Sequence, residues 1–208
     1  IKGLELIRLS SIEPQLFNDK LINTLPLISK LCPHYHIPLQ CGADTGLKRM
    51  RRRHSTTTTN KLTIKIWERI PYPAIGMDII TGFPGETEEE HQQTCSYLRS
   101  LPLAYLHIFS FSKRKGTPAF ELPNQIPKTI KNHRANELTQ ISRELTVAYT
   151  NSLVENNIPL RGIVEKSANG YCEFLSDHYL RVRFSGNYQP GDFVQIPSQD
   201  LQIRMKND

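Results

Sequence analysis

The 208-residue sequence has few of the features that mark specialised chain classes. No apolar run approaches the ~18 residues of a membrane-spanning helix. No charged-then-apolar signal segment opens the chain, so no membrane partner is expected. Glycine (11) and proline (14) are too few for a collagen-like or low-complexity chain. Cysteine is scarce: Cys32, Cys41, Cys95 and Cys172 form no Cys-x-x-Cys pair and match no zinc or disulfide spacing. A reduced, cytoplasmic setting is the simplest expectation. The P-loop, the dinucleotide fingerprint and the Gly-x-Ser-x-Gly nucleophile motif are all absent. Nucleoside-triphosphate hydrolysis and triad hydrolysis therefore find no support. The first methionine is Met50 and the chain starts at Ile1, which suggests a piece of a longer protein.

What is present is uneven charge. There are 26 basic against 20 acidic side chains. The surplus lies before residue 150, and the remainder is close to neutral. A basic surplus favours an anionic partner, with nucleic acid the first candidate, although solvated surfaces often carry as much. The densest basic run is Lys48, Arg49, Arg51, Arg52, Arg53 and His54. Lys113, Arg114 and Lys115 form a second run, and Lys128, Lys131, His133 and Arg134 a third. Each run either neutralises phosphates or is a solvated face.

Strand-like stretches begin near residues 4 (LELIRLSS), 36 (HIPLQ), 74 (AIGMDIIT) and 105 (YLHIFSF). A strand plus a covering helix fits each interval, which predicts an α/β fold with a parallel sheet. Helices are expected around residues 16–25, after Asp44 as a cap, near Leu62 and Trp67, and after Thr87. Thr87-Glu88-Glu89-Glu90 reads as a capping box. Four such units make a partial (β/α) barrel of TIM type. A long helix is expected over 129–157. After it, residues 160–205 alternate in five short stretches separated by turns, predicting a small all-β barrel of oligonucleotide-binding type. The boundary falls near 155–160, giving regions 1–157 and 158–208.

Polar groups gather at the predicted strand ends: Ser11 and Glu13, Gln40, then Gly82, then Ser110. Parallel βα architectures carry their sites at this end, so a small polar ligand there is one reading and ordinary loop residues are the other. Asp78 lies inside an apolar run. It is either held by backbone amides or an arginine, or turned toward a ligand. In the tail, Lys166, Tyr171, Arg181 and Arg183 mix cations with an aromatic, as base stacking and backbone contact require; core packing is the alternative.

Six strings occur in order: RLSSIEP, CPHYHIPLQCGAD, LKRMRRRH, IGMDIITGFPGETEEE, LHIFSFSKRKGTPA and LPNQIP. Together they closely resemble the radical S-adenosylmethionine methylthiotransferases that modify tRNA. The branch most similar acts on N6-threonylcarbamoyladenosine beside the anticodon. The resemblance implies a partial barrel that binds S-adenosyl-L-methionine, with two [4Fe–4S] clusters in the full-length family, and a TRAM domain at the tail. It implies tRNA as partner, together with the N-terminal half of such an enzyme, and no DNA.

Carried over position by position, Ser11, Glu13, Gln40, Asp78, Ile80, Gly82, Phe109 and Ser110 would face the cofactor. Arg49, Arg51, Arg52, Arg53, Lys113, Arg114, Lys115, Lys166, Tyr171, Arg181 and Arg183 would hold RNA. The family's cluster-ligating cysteine triplet is absent. Phe111 and Ser110 stand where tyrosine and proline are usual. The isolated chain is therefore expected not to catalyse the reaction, and a non-catalytic RNA-binding remnant is the rival reading.

Overall fold

The computed structural model describes residues 2–204. Met205, at the end of the last predicted strand, lies outside them. Three parallel strands, β1 (His34–Gln40), β2 (Ala74–Thr81) and β3 (Tyr105–Ser110), form one sheet in the order β1-β2-β3. The helices are α1 (Asp19–Thr24), α2 (Asp44–Arg49), α3 (Thr56–Arg69), α4 (Glu88–Arg99) and α5 (Lys128–Glu155). Strands β4 (Leu160–Ala168), β5 (Tyr171–Leu175), β6 (Arg181–Ser185), β7 (Phe193–Ile196) and β8 (Gln202–Arg204) form an antiparallel sheet in the order β7-β4-β5-β6-β8.

The alternation of the parallel strands sorts their two faces. Tyr35, Ile37, Leu39, Ile75, Met77 and Ile79 turn to one side and pack against Leu62 and Ile66 of α3, Leu98 of α4, and Leu138 and Ile141 of α5. The other positions carry His34, His36, Asp78, Tyr105 and His107. Glycine at 76 is dictated by this second face, because a Cβ there would lie 2.0 Å from Tyr105 Cζ. Gly76→Ala is expected to destabilise the fold by about 2 kcal/mol through overpacking. Urea unfolding measures it; a change below about 0.5 kcal/mol would contradict the tight register.

Three local readings need correction. Residues 4–11 form no strand: Ile7 makes only an isolated parallel bridge to Leu31. Leu9 and Ile12 are partly buried against the core without sheet pairing, so their apolar pattern reports packing rather than a ladder. The helix expected over 16–25 is confined to α1, flanked by 3₁₀ turns. Asp44 is the first helical residue rather than the cap, and its carboxylate accepts from the Thr56 N–H at 2.8 Å. The capping box forms as expected: Thr87 accepts from the Glu90 N–H, and Glu90 accepts from the Thr87 N–H.

The antiparallel sheet packs on the N-terminal ends of the parallel strands. Val164, Phe174, Val182 and Phe184 share a core with Tyr149 and Leu153 of α5 and with Ala74 and Ala104. A turn between β5 and β6 reaches furthest. Asp177 there accepts from the Arg161 N–H at 3.0 Å and from its Nε at 2.7 Å, and the Ser176 carbonyl accepts from Arg8 at 2.8 Å.

Candidate functional site

The site grows from an irregularity in β1. Pro38 has no N–H to give the ladder, and the pairing with β2 slips between Ile37 and Gln40. Gln40 follows with φ of 77°, a left-handed conformation that non-glycine residues adopt at a cost. Its side chain thereby joins Asp78 and Ile80 of β2 and Phe109 and Ser110 of β3 on the wall of one cavity of about 480 Å³. Phe111, Ser112, Arg114, Thr117 and Ala119 complete the wall. Phe109 is 52% exposed, an aromatic residue on the cavity wall that a ligand can reach.

Beneath the cavity lies a polar layer. Asp78 Oδ1 is 2.9 Å from His36 Nε2 and 3.5 Å from His107 Nδ1. Among the described residues, neither backbone amides nor an arginine hold this carboxylate, so the first of the two sequence readings of Asp78 is replaced by a pair of histidines. His36 Nδ1 lies 3.0 Å from the Tyr105 hydroxyl, which lies 2.7 Å from His34 Nε2. Tyr179, delivered by the β5–β6 turn, stacks on His34 with ring centroids 4.7 Å apart, and Arg8 lies over the Tyr179 ring. Burial, reinforced by the Arg8 charge and the neighbouring histidines, depresses the pKa of His34 to about 3.

The turn after β2 is braced from below. Gly82, at φ 72°, donates its N–H to Glu86 Oε2 at 2.7 Å. The same oxygen takes Arg134 Nη1 at 2.7 Å, and both side chains are buried. Lys131 crosses Gly82 so closely that a Cβ there would lie 2.3 Å from its Cγ. One turn into α4, Glu90 receives both terminal nitrogens of Arg49, at 2.7 and 3.0 Å, and the Thr45 hydroxyl. Burial opposes the Glu90 charge, but these bonds win and hold its pKa below the usual carboxylate value.

The structure thus brings together Gln40, Asp78, Ile80, Phe109 and Ser110. Ser11, Glu13 and Gly82 do not line this cavity. Ser11 is exposed, Glu13 pairs with Arg52 at 3.2 Å, and Gly82 backs onto Lys131. The cations expected to hold RNA divide in the same way. Arg49 and Arg52 are taken by Glu90 and Glu13, and Arg181 pairs with Glu165 at 2.7 Å. Arg51, Arg53, Lys113, Arg114, Lys115 and Lys166 are exposed. Arg183 lies 4.1 Å over the Tyr171 ring. Sequence reasoning missed His36 and His107, whose signal was their alternation with buried apolar neighbours.

Two groups of donor atoms lie within 4.8 Å of one another: His36, Asp78 and His107, and His91, Cys95 and Glu137. In the first, both His36 nitrogens already face Asp78 and Tyr105; in the second, His91 Nε2 faces Glu137 at 2.9 Å. The four cysteines are free and buried: Cys32 and Cys41 flank β1, Cys95 is in α4 and Cys172 in β5, and none lines the cavity. Burial raises the thiol pKa of Cys32 and Cys41, and that of Cys95 to about 11. Buried thiols, dispersed and away from the cavity, do not fit an iron–sulfur cluster.

Comparison with known proteins decides the relationship. The chain is 32% identical to the threonylcarbamoyladenosine tRNA methylthiotransferase MtaB of Bacillus subtilis (strain 168), over 99% of this chain and 50% of that protein. The chain is related to the tRNA methylthiotransferases. It is also 37% identical, over 77% of its length, to the tRNA-2-methylthio-N(6)-dimethylallyladenosine synthase of Nocardia farcinica, of which the match covers 32%. The corresponding synthase of an Arthrobacter species is 42% identical over 68% of this chain. These methylthiotransferases align through their C-terminal portions, and the chain spans half their length or less. No family model matches it. In fold it resembles coproporphyrinogen III oxidase (HemN) from Escherichia coli, described as a radical SAM enzyme. That likeness has a TM-score of 0.55 at 10% identity, covering 85% of this chain and 46% of that one.

Proposed function

We propose that this chain is the S-adenosylmethionine- and tRNA-facing part of an enzyme that adds a methylthio group to C2 of N6-threonylcarbamoyladenosine in tRNA. Residues 1–157 are assigned to the C-terminal part of a partial barrel, and 158–208 to a TRAM-like unit. The observation that carries the reading is the convergence of Gln40, Asp78, Ile80, Phe109 and Ser110 on one cavity, in a chain aligned over 99% of its length with a methylthiotransferase.

The cavity suits an adenosyl group in kind. Phe109 offers a ring on which adenine stacks. Asp78, Gln40 and Ser110 offer acceptors and donors for the adenine amino group, the ribose hydroxyls and the ammonium of the methionine part. A few polar groups on a largely apolar wall of this volume are what small-ligand sites present. When bound, S-adenosylmethionine would supply the methyl group of the methylthio product and, through its adenosyl part, the chemistry that removes the hydrogen from C2. The strand ends orient it, and Asp78 is itself positioned by His36 and His107. The chain's own cysteines supply no cluster, so the thiolates for one belong to another segment.

The buried cysteines also favour a second reading, a non-catalytic RNA-binding remnant. Both readings predict binding of a tRNA anticodon arm that weakens by at least about tenfold between roughly 50 and 200 mM salt. Fluorescence anisotropy with a labelled anticodon stem–loop measures it. Salt-insensitive binding, or none, contradicts both; binding of S-adenosylmethionine at the cavity separates the first from the second.

A further inference from the structure

Beside the 110–112 segment lies a second cavity, of about 500 Å³, whose lining includes Ser112, Lys113, Gln125, Lys128, Lys131 and Asn132. We propose that this cavity is a phosphate site, and that it holds a backbone phosphate of the RNA whose target nucleotide is presented to the adenosyl group in the neighbouring Asp78 cavity. The proposal rests on the RNA reading above and gives it a location.

Charge and geometry both point this way. Three lysines line the cavity, and no carboxylate does. No ion pair among the described residues involves Lys113, Lys128 or Lys131. Arg49, Arg52, Arg134 and Arg161, by contrast, each have a carboxylate partner. Lys131 is the anchor. Its ammonium donates to the Phe111 carbonyl at 2.9 Å and lies 5.1 Å over the Phe111 ring, and its stem crosses Gly82. A lysine fixed at three points, with only one of its donors committed to a hydrogen bond, is pre-organised for an anion. Burial and the Lys113 charge both lower the Lys131 pKa, so the two cations stand close enough to repel. An anion between them removes that repulsion and gains charge-assisted hydrogen bonds.

The source of the phosphate follows from continuity. Ser110, Phe111 and Ser112 line both cavities. One side of this short segment presents a carboxylate and an open aromatic ring, as an adenosyl group needs; the other presents three cations. An RNA whose target nucleotide must come up against the adenosyl group brings its backbone to the cation side, whereas a free phosphate gains nothing from the neighbouring cavity.

The test uses the 208-residue chain with a labelled anticodon stem–loop, titrated at several salt concentrations, and with inorganic phosphate alone. Lys131→Gln and Lys128→Gln are each expected to weaken RNA binding by about three- to tenfold and to lower the salt slope by about one. Lys131→Arg keeps the charge and is expected to retain most of the affinity. Thermal unfolding shows that the variants fold. RNA binding with unchanged affinity and slope in both glutamine variants overturns the site while leaving the RNA reading intact. Loss of inorganic-phosphate binding in the variants without any change in RNA binding overturns the RNA assignment and leaves a free-anion site. Absence of RNA binding by the unaltered chain overturns both proposals.

Discussion

Replacing Arg134 by Met is expected to destabilise the fold by about 3–5 kcal/mol, the usual range for removing one partner of a buried ion pair. Arg134 Nη1 reaches Glu86 Oε2 at 2.7 Å and the Glu86 carbonyl at 3.2 Å. Without it, the buried Glu86 carboxylate keeps only the Gly82 N–H at 2.7 Å. Glu88, largely exposed, also loses its contact at 3.1 Å, but water replaces that one. The double variant Glu86→Gln/Arg134→Met removes both charges and is expected to recover a large part of the loss. Denaturant unfolding of the set measures this. A single-variant effect below about 1 kcal/mol, or no recovery in the double variant, contradicts the role given to the pair. The site is exposed to the same change, because Glu86 fixes the turn that brings Gly82 against Lys131.

The second large effect concerns acid. His34 is 3% exposed, with its pKa lowered from 6.5 to about 3 by burial, the Arg8 charge and the surrounding histidines. Below pH ~6.5 the unfolded chain protonates this side chain while the folded chain does not, down to about pH 3. The stabilisation is therefore complete above pH ~6.5 and declines as pH falls, by about 1.4 kcal/mol per pH unit at most. Between pH 6.5 and 4.5 the loss is about 2 kcal/mol. The depressed carboxylates Glu88, Glu90 and Glu137 add their own losses only at lower pH. His34→Gln retains a polar partner for the Tyr105 hydroxyl and does not titrate, so its stability should stay nearly flat across that window. Urea midpoints at several pH values report it. A variant as acid-sensitive as the natural sequence would show that the polar layer under the cavity does not bury a neutral His34.

Much of this architecture was legible in the residues. AIGMDIIT reads as a strand and forms β2, and the capping box after it marked the start of α4. The segment 4–11 misled for a physical reason: apolar spacing records burial, and Leu9, like Ile12 just after it, is partly buried against the core without a ladder. The strand-end convergence was visible for Gln40 and Ser110, because parallel strands point their carboxyl ends the same way, whereas Ser11, Glu13 and Gly82 fell outside the cavity. The partners of Asp78 were not visible, since His36 and His107 become its neighbours only once the three strands are in register. The occupation of Arg49 and Arg52 by Glu90 and Glu13 depends on contacts across some forty residues of sequence, which a basic run cannot reveal. Nor could local pattern place Lys131 across Gly82.

The central claim, that the strand-end cavity receives an adenosyl sulfonium, is tested most directly by titrating S-adenosylmethionine into the isotope-labelled chain and mapping the perturbed amides by NMR. The account predicts perturbations centred on Gln40, Ile80, Phe109 and Ser110, with affinity reduced at least about tenfold by Asp78→Asn, a loss on the order of 1.4 kcal/mol. Saturating ligand that leaves these amides unmoved, or that binds equally well to the Asp78 variant, would contradict it.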